Sequence, residues 1–145
     1  MEKLLVVRVG DKSLGWRTSH VGEIFAMPHL TPLLEPVPHL SGAVFHRGRL
    51  LTVADTASLA GLPASAHGKL LIRLAPPSDH LAFSLDSVEG VMPYNALDLR
   101  EETSEGLWEG LYPWEERWVP ILRASQAVAA LSLSLLPSAG ASEME

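Results

Sequence analysis

A duplication at a spacing of about 66 residues limits the folds open to this chain more than any other property of it. The apolar run Lys3 to Val9 is echoed by Lys69 to Leu74. Gly10-Asp11-Lys12 turns the first run into a return strand, Ser13 to Arg17. Pro76-Pro77-Ser78-Asp79 does the same for the second, His80 to Leu85. His20 to Pro28 is then paralleled by Asp86 to Pro93, with Val88 and Val91 standing where Val21 and Ile24 stood. A hairpin from Gly42 to Ala54 has its counterpart in Leu107 to Leu122, whose turn is expected around Pro113 to Glu116. Short helices close the copies, Thr56 to Leu59 and Ala124 to about Leu136. Each copy offers four or five short strands with regularly spaced turns, which suits a small β-barrel. A lobe of that size buries too little by itself, so two lobes are expected to share an apolar seam. The expected fold is mainly β: two barrels on one core, a single domain over residues 1–137. Its repeat halves run over about 3–63 and 69–136, and residues 138–145 form a polar tail expected to fray.

The hairpin from Ser41 to Asp55 is the best defined unit. Aromatic and β-branched residues favour extended backbone, and Gly48 supplies the positive φ that a tight turn after Arg47 needs. Gly42 marks a place where another backbone passes close by. Asp55 is expected to cap the helix that follows, which Gly61 and Pro63 then stop. Between Pro28 and Pro38 lie Pro32 and Pro36 as well, so this run is an extended connector and not a helix or central strand.

Composition removes whole classes of function. Hydrophobic residues make up 47% of the chain and charged ones 19%, which supports a packed core and argues against disorder. With no cysteine there are no disulfides, thiolate metal sites or thiol nucleophiles. The N-terminus lacks the pattern of a signal peptide, and no run is long and apolar enough to span a bilayer, so a cytoplasmic protein without membrane insertion is expected. Net charge is −6, with six Lys/Arg against four Asp/Glu in residues 1–50 and five against thirteen beyond. That balance argues against a nucleic-acid partner, which needs clustered cations. The acidic stretch from Glu101 to Glu116 reads as a solvated loop.

Catalytic patterns are missing, and no catalytic residue, metal ligand or cofactor is assigned. The histidines at 20, 29, 39, 46, 67 and 80 form no pair at helical spacing and no His-Glu-x-x-His. No Gly-x-Ser-x-Gly elbow occurs, and Gly10, Gly15 and Gly22 fit no nucleotide fingerprint. Asp55 is a carboxylate at a strand end, where general bases occur, but capping already occupies it. Trp108, Tyr112, Trp114 and Trp118 crowd one hairpin. They read as lobe core and as anchors of a protein contact. The alternative function is a small-molecule or carbohydrate sensor built on that aromatic hairpin.

In order and spacing these pieces resemble the CheW family, the coupling proteins of bacterial chemosensory arrays, from Leu4 to about Leu136. The matching pieces are Val21-Gly22-Glu23-Ile24, the proline-bearing linker, Gly42 to Asp55 with its Arg47-Gly48 turn, and Asp86-Ser87-Val88-Glu89-Gly90-Val91. The resemblance implies two SH3-like five-stranded barrels and no catalysis. It implies an adaptor between the cytoplasmic tip of chemoreceptors and the regulatory domain of a CheA-type histidine kinase. It also implies partner-binding roles for Val21, Glu23, Ile24, Gly42, Arg47, Val88 and Val91. Two departures stand out: His46 replaces the usual Asn, and Arg123 stands where the second hairpin of the family ends in Asp.

Overall fold

The computed structural model describes residues 2–63, 68–100 and 106–135; His67, the acidic residues 101–105 and the tail from 138 lie outside that set. Eleven strands and two α-helices follow in order among the described residues. They are β1 (Lys3–Val9), β2 (Lys12–Arg17), β3 (Val21–Ala26), β4 (Thr31–Pro32), β5 (Leu40–His46), β6 (Arg49–Ala54) and α1 (Thr56–Leu59). The second copy supplies β7 (Leu70–Leu74), β8 (Leu81–Leu85), β9 (Ser87–Pro93), β10 (Trp108–Trp114), β11 (Arg117–Leu122) and α2 (Ala124–Leu135).

The lobes are not the sequence halves. One five-stranded sheet has the order β10-β11-β2-β1-β9, and one six-stranded sheet the order β3-β7-β8-β6-β5-β4. Each copy therefore sends its first two strands into the sheet of the other. The expectation that each copy closes its own barrel is corrected by these pairings. The exchange is sealed by two parallel contacts, β2 with β11 at Gly15 and Ile121, and β6 with β8 at Val53 and Ala82. Parallel neighbours need a long crossover, and here residues 18–116 supply it for the first contact and residues 55–80 for the second.

Alternation along the strands explains how two lobes share one seam. Leu4 and Val6 of β1 pack with Tyr112, Val119 and Ile121 inside the five-stranded sheet. Leu5, Val7 and Val9 point the opposite way, into a cluster with Trp16, Ile72, Leu74, Phe83, Leu122 and the helical residues Ala57, Ala127 and Leu131. Val44, Leu51, Val53, Leu71 and Ala82 fill the six-stranded lobe. A strand buried on both faces reads as an unbroken apolar run, which is how Leu4 to Val7 and Leu70 to Ile72 read. Trp16 and Phe83, one from each sheet, meet at the seam with ring centroids 5.0 Å apart. No described helix is long and apolar enough to cross a membrane.

Local expectations fare well. Asp55 caps α1, its Oδ1 accepting from the Ser58 N–H at 3.2 Å. Gly42 lies against β4, and a Cβ there would sit on the Thr31 carbonyl oxygen. The second hairpin departs from expectation. Its strand runs on through Pro113 and Trp114, and the turn is only Glu115-Glu116. Proline is accepted because β10 is an edge strand. Leu111 turns its N–H outward to the Arg100 carbonyl, so the nitrogen of Pro113, two residues on, faces the same open side. Glu109 lies on β10, within the hairpin expected from Leu107, and pairs with Arg17 at 3.2 Å rather than standing free in a solvated acidic stretch.

Candidate functional site

Glu23 organises the site. Its strand β3 is a free edge of the six-stranded sheet, and the register against β7 slips between Val21 and Glu23. Gly22 permits that bulge, since a Cβ there would lie 2.8 Å from the Leu74 carbonyl oxygen. Beyond the bulge Glu23 stands opposite Arg73, whose guanidinium reaches its Oε1 at 3.3 Å. The other oxygen, Oε2, meets Nε2 of His46 at 3.0 Å and the guanidinium of Arg47 at 3.4 Å. An ionised carboxylate only accepts, so Nε2 of His46 carries the proton in this contact.

Arg47 is held out at the turn between β5 and β6. Both turn residues adopt positive φ, 52° at Arg47 and 79° at Gly48, the geometry of a two-residue hairpin whose twist matches its strands. The Arg47 side chain is 77% exposed although it touches Glu23, so most of its donors face outward. His46 packs flat on Phe25 with ring centroids 3.7 Å apart and planes 10° from parallel. That stack fixes the imidazole beside the carboxylate. The hydrogen bond from His46, with the charges of Arg47 and Arg73, holds the Glu23 carboxyl below its usual range.

Exposed apolar side chains stand on the strands that carry this charged centre. Ile24 is exposed beside Glu23, and Phe45 and Leu50 form a directly opposed cross-strand pair, both exposed. The surface cavities of about 330 and 340 Å³ lie elsewhere, one lined by Asp55, Asp86, Met27 and Ala57, the other by His20, Pro77 and Ala124. The guanidinium thus stands exposed at a tight turn whose strands carry exposed apolar side chains.

The structure thus brings Glu23 and Arg47 together, with Ile24 beside them and Gly42 buried further along the same hairpin. Val21 is half-buried against the central cluster. Val88 and Val91 are on β9, an edge of the other sheet, opposite Val7 and Leu5 of β1, and both are exposed. Reading the sequence missed the supporting residues His46, Arg73 and Phe25. It also missed Glu89, which occupies the bulge of β9 and gathers the Ser13 hydroxyl, Arg8 at 3.3 Å and Arg117 at 3.5 Å. Burial pushes the Glu89 carboxyl up, but those donors outweigh it and the net shift is downward. A glutamate beside an edge-strand bulge in each copy was the available signal.

The aromatic hairpin forms no single platform. Tyr112 is buried, its hydroxyl accepting from the Asn95 N–H at 2.9 Å. Trp108 packs on the central cluster and Trp114 on the five-stranded lobe. Trp118 alone is well exposed, with the Arg100 guanidinium 4.9 Å from its ring centroid.

Residues 3–75 match the sequence model of the CheW-like domain. No curated protein matches the chain. Among solved structures, the scaffolding protein TtCheW from Thermoanaerobacter tengcongensis superposes with a TM-score of 0.74 at 17% identity, covering 84% of this chain and 88% of that one. The two-lobe SH3-like architecture expected from the sequence is therefore the one the chain adopts.

Proposed function

The chain belongs to the CheW-like family, and on that premise we propose that it joins the cytoplasmic tip of chemoreceptors to the regulatory domain of a CheA-type histidine kinase. As a member of that family it is a chemotaxis scaffold. In the finer reading it works in the cytoplasm as one domain over residues 1–137, catalyses nothing, and needs no cofactor or nucleic acid. Its partner-binding residues are Val21, Glu23, Ile24, Gly42, Arg47, Val88 and Val91.

One observation carries this reading. Glu23 and Arg47, which the family pattern marks in two separate motifs, form one ion pair at 3.4 Å on a preformed surface. Rigid presentation of this kind lowers the ordering cost of association. Titration of a purified kinase regulatory domain, and separately of a receptor-tip fragment, into the chain by calorimetry tests the proposal. Saturable binding that weakens at least about tenfold in Arg47→Ala, a loss of about 1.4 kcal/mol, is expected. A folded wild-type chain that binds neither partner removes it.

A further inference from the structure

The cavities of about 330 and 340 Å³ occupy equivalent places in the repeat, and only the first is acidic. Each lies between the end of one copy's first strand, the start of that copy's helix, and the entry to the other copy's third strand. Val9 of the first cavity thus corresponds to Leu74 of the second, Ala57 to Ser125, and Asp86 to Ser19. The first is lined by the carboxylates of Asp55 and Asp86, with no Lys, Arg or His among its described lining residues. The second has no carboxylate among its described lining residues, and Arg123 holds the position that Asp55 holds in the first.

Asp55 and Asp86 form no ion pair with a described residue. Each is held through one oxygen. Oδ1 of Asp55 accepts from the Ser58 N–H at 3.2 Å and Oδ2 of Asp86 from the Gly10 N–H at 2.7 Å, so the second oxygen of each has no described partner. Most of the remaining wall is apolar, from Val9, Met27, Leu30, Ala57 and Leu85. Thr56 stands in the chain between the lining residues Asp55 and Ala57. It is 1% exposed, and its hydroxyl has no hydrogen-bond partner among the described residues. A buried polar group ordinarily has a partner, so this hydroxyl is one more group for a cavity ligand to satisfy.

We propose that this cavity binds a small organic cation, an alkylammonium or alkylguanidinium whose N–H groups pair with Asp55 and Asp86 and whose hydrocarbon part lies along Met27 and Leu30. Unpaired carboxylates in a concave, mainly apolar site concentrate negative potential, and hydrogen bonds between ions are the strong ones. A divalent metal suits the site poorly. Hard cations take about six or more oxygen ligands, and no group of three metal-binding side chains occurs among the described residues. A quaternary ammonium has no N–H to donate, and no aromatic ring is among the described lining residues to receive its charge. The proposal holds whether or not the chain joins receptors to a kinase.

Titration of the full chain, labelled at its methionine methyl carbons, with hexylammonium chloride tests it by NMR. Of the two described methionines, Met27 lines the cavity and Met92 packs in the five-stranded lobe. The Met27 resonance should shift and saturate with a Kd of about 1 mM or tighter, and that of Met92 should stay in place. Hexanol and sodium hexanoate at the same concentrations should leave Met27 unmoved. Asp55→Asn and Asp86→Asn each keep an oxygen for the main-chain N–H and should each weaken binding at least about tenfold. No saturable shift of Met27 by about 10 mM ligand overturns the proposal. So does an equal response to hexanol or hexanoate, or unchanged affinity in a folded double variant. Tighter binding of a lysine tripeptide blocked at both ends overturns the assignment to a small ligand.

Discussion

Arg47, at the turn between β5 and β6, meets Glu23 of β3 at 3.4 Å, and the same carboxylate holds His46 at 3.0 Å and Arg73 at 3.3 Å. One glutamate thus fixes three cationic or polar groups, only one of which, Arg47, points mainly to solvent. The arrangement is divided, with His46 and Arg73 holding the carboxylate and the Arg47 guanidinium facing mainly outward.

That division predicts unequal mutants. Arg47→Ala should change unfolding free energy by no more than about 1 kcal/mol, because an exposed ion pair contributes little. Glu23→Gln should lower the unfolding free energy by more than Arg47→Ala does, since it leaves the half-buried Arg73 without its carboxylate. Urea unfolding of the two variants checks the contrast.

Gly42 and Gly48 should also part company. A Cβ at Gly42 would meet the Thr31 carbonyl oxygen, whereas nothing lies within 4 Å of one at Gly48. Gly42→Ala should therefore cost about 2–4 kcal/mol, combining left-handed strain with overpacking. Gly48→Ala should cost about 1 kcal/mol, from the backbone alone. Thermal denaturation orders them.

Because each copy lends two strands to the other's sheet, neither half should fold by itself. A fragment of residues 1–63 lacks β7 and β8, which lie between β3 and β6 in the six-stranded sheet. Its circular dichroism should be that of a disordered chain. In the whole protein Phe83→Ala, at the seam, should cost about 3–5 kcal/mol and lower both lobes in one transition.

Acid should loosen the fold in one direction only. Glu2, Glu23, Asp79 and Glu89 all have carboxyl pKa values lowered by folding, through Arg17, His46, Arg49 and the Ser13–Arg8–Arg117 group respectively. A group with a lowered folded pKa stabilises above its unfolded value and loses that contribution as pH falls through the folded one. Stability due to these carboxylates should hold from neutral pH down to about 5 and decline below about 4. Denaturant midpoints measured across that range should fall with acid, and Glu23→Gln should flatten part of the fall.

Much of this was legible because the signals were local. Asp55 as a cap, Gly42 under a passing backbone, and the Arg47-Gly48 turn each follow from one residue's stereochemistry. The strand exchange was not legible, because Leu4 to Val7 reads as a doubly buried strand whichever sheet receives it. Pro113 was misread as a turn residue, since nothing in its sequence neighbourhood shows that its nitrogen faces an open edge. The stack of His46 on Phe25 and the gathering of Arg8, Ser13 and Arg117 on Glu89 depend on registers that only the folded sheets define.

The adaptor reading is tested most directly by receptor-controlled autophosphorylation of a CheA-type kinase in a reconstituted mixture, with and without this chain. Added wild-type chain should place kinase activity under receptor control, and Arg47→Ala, equally folded, should do so poorly. Kinase activity that is the same with the wild-type chain as without it would contradict the account.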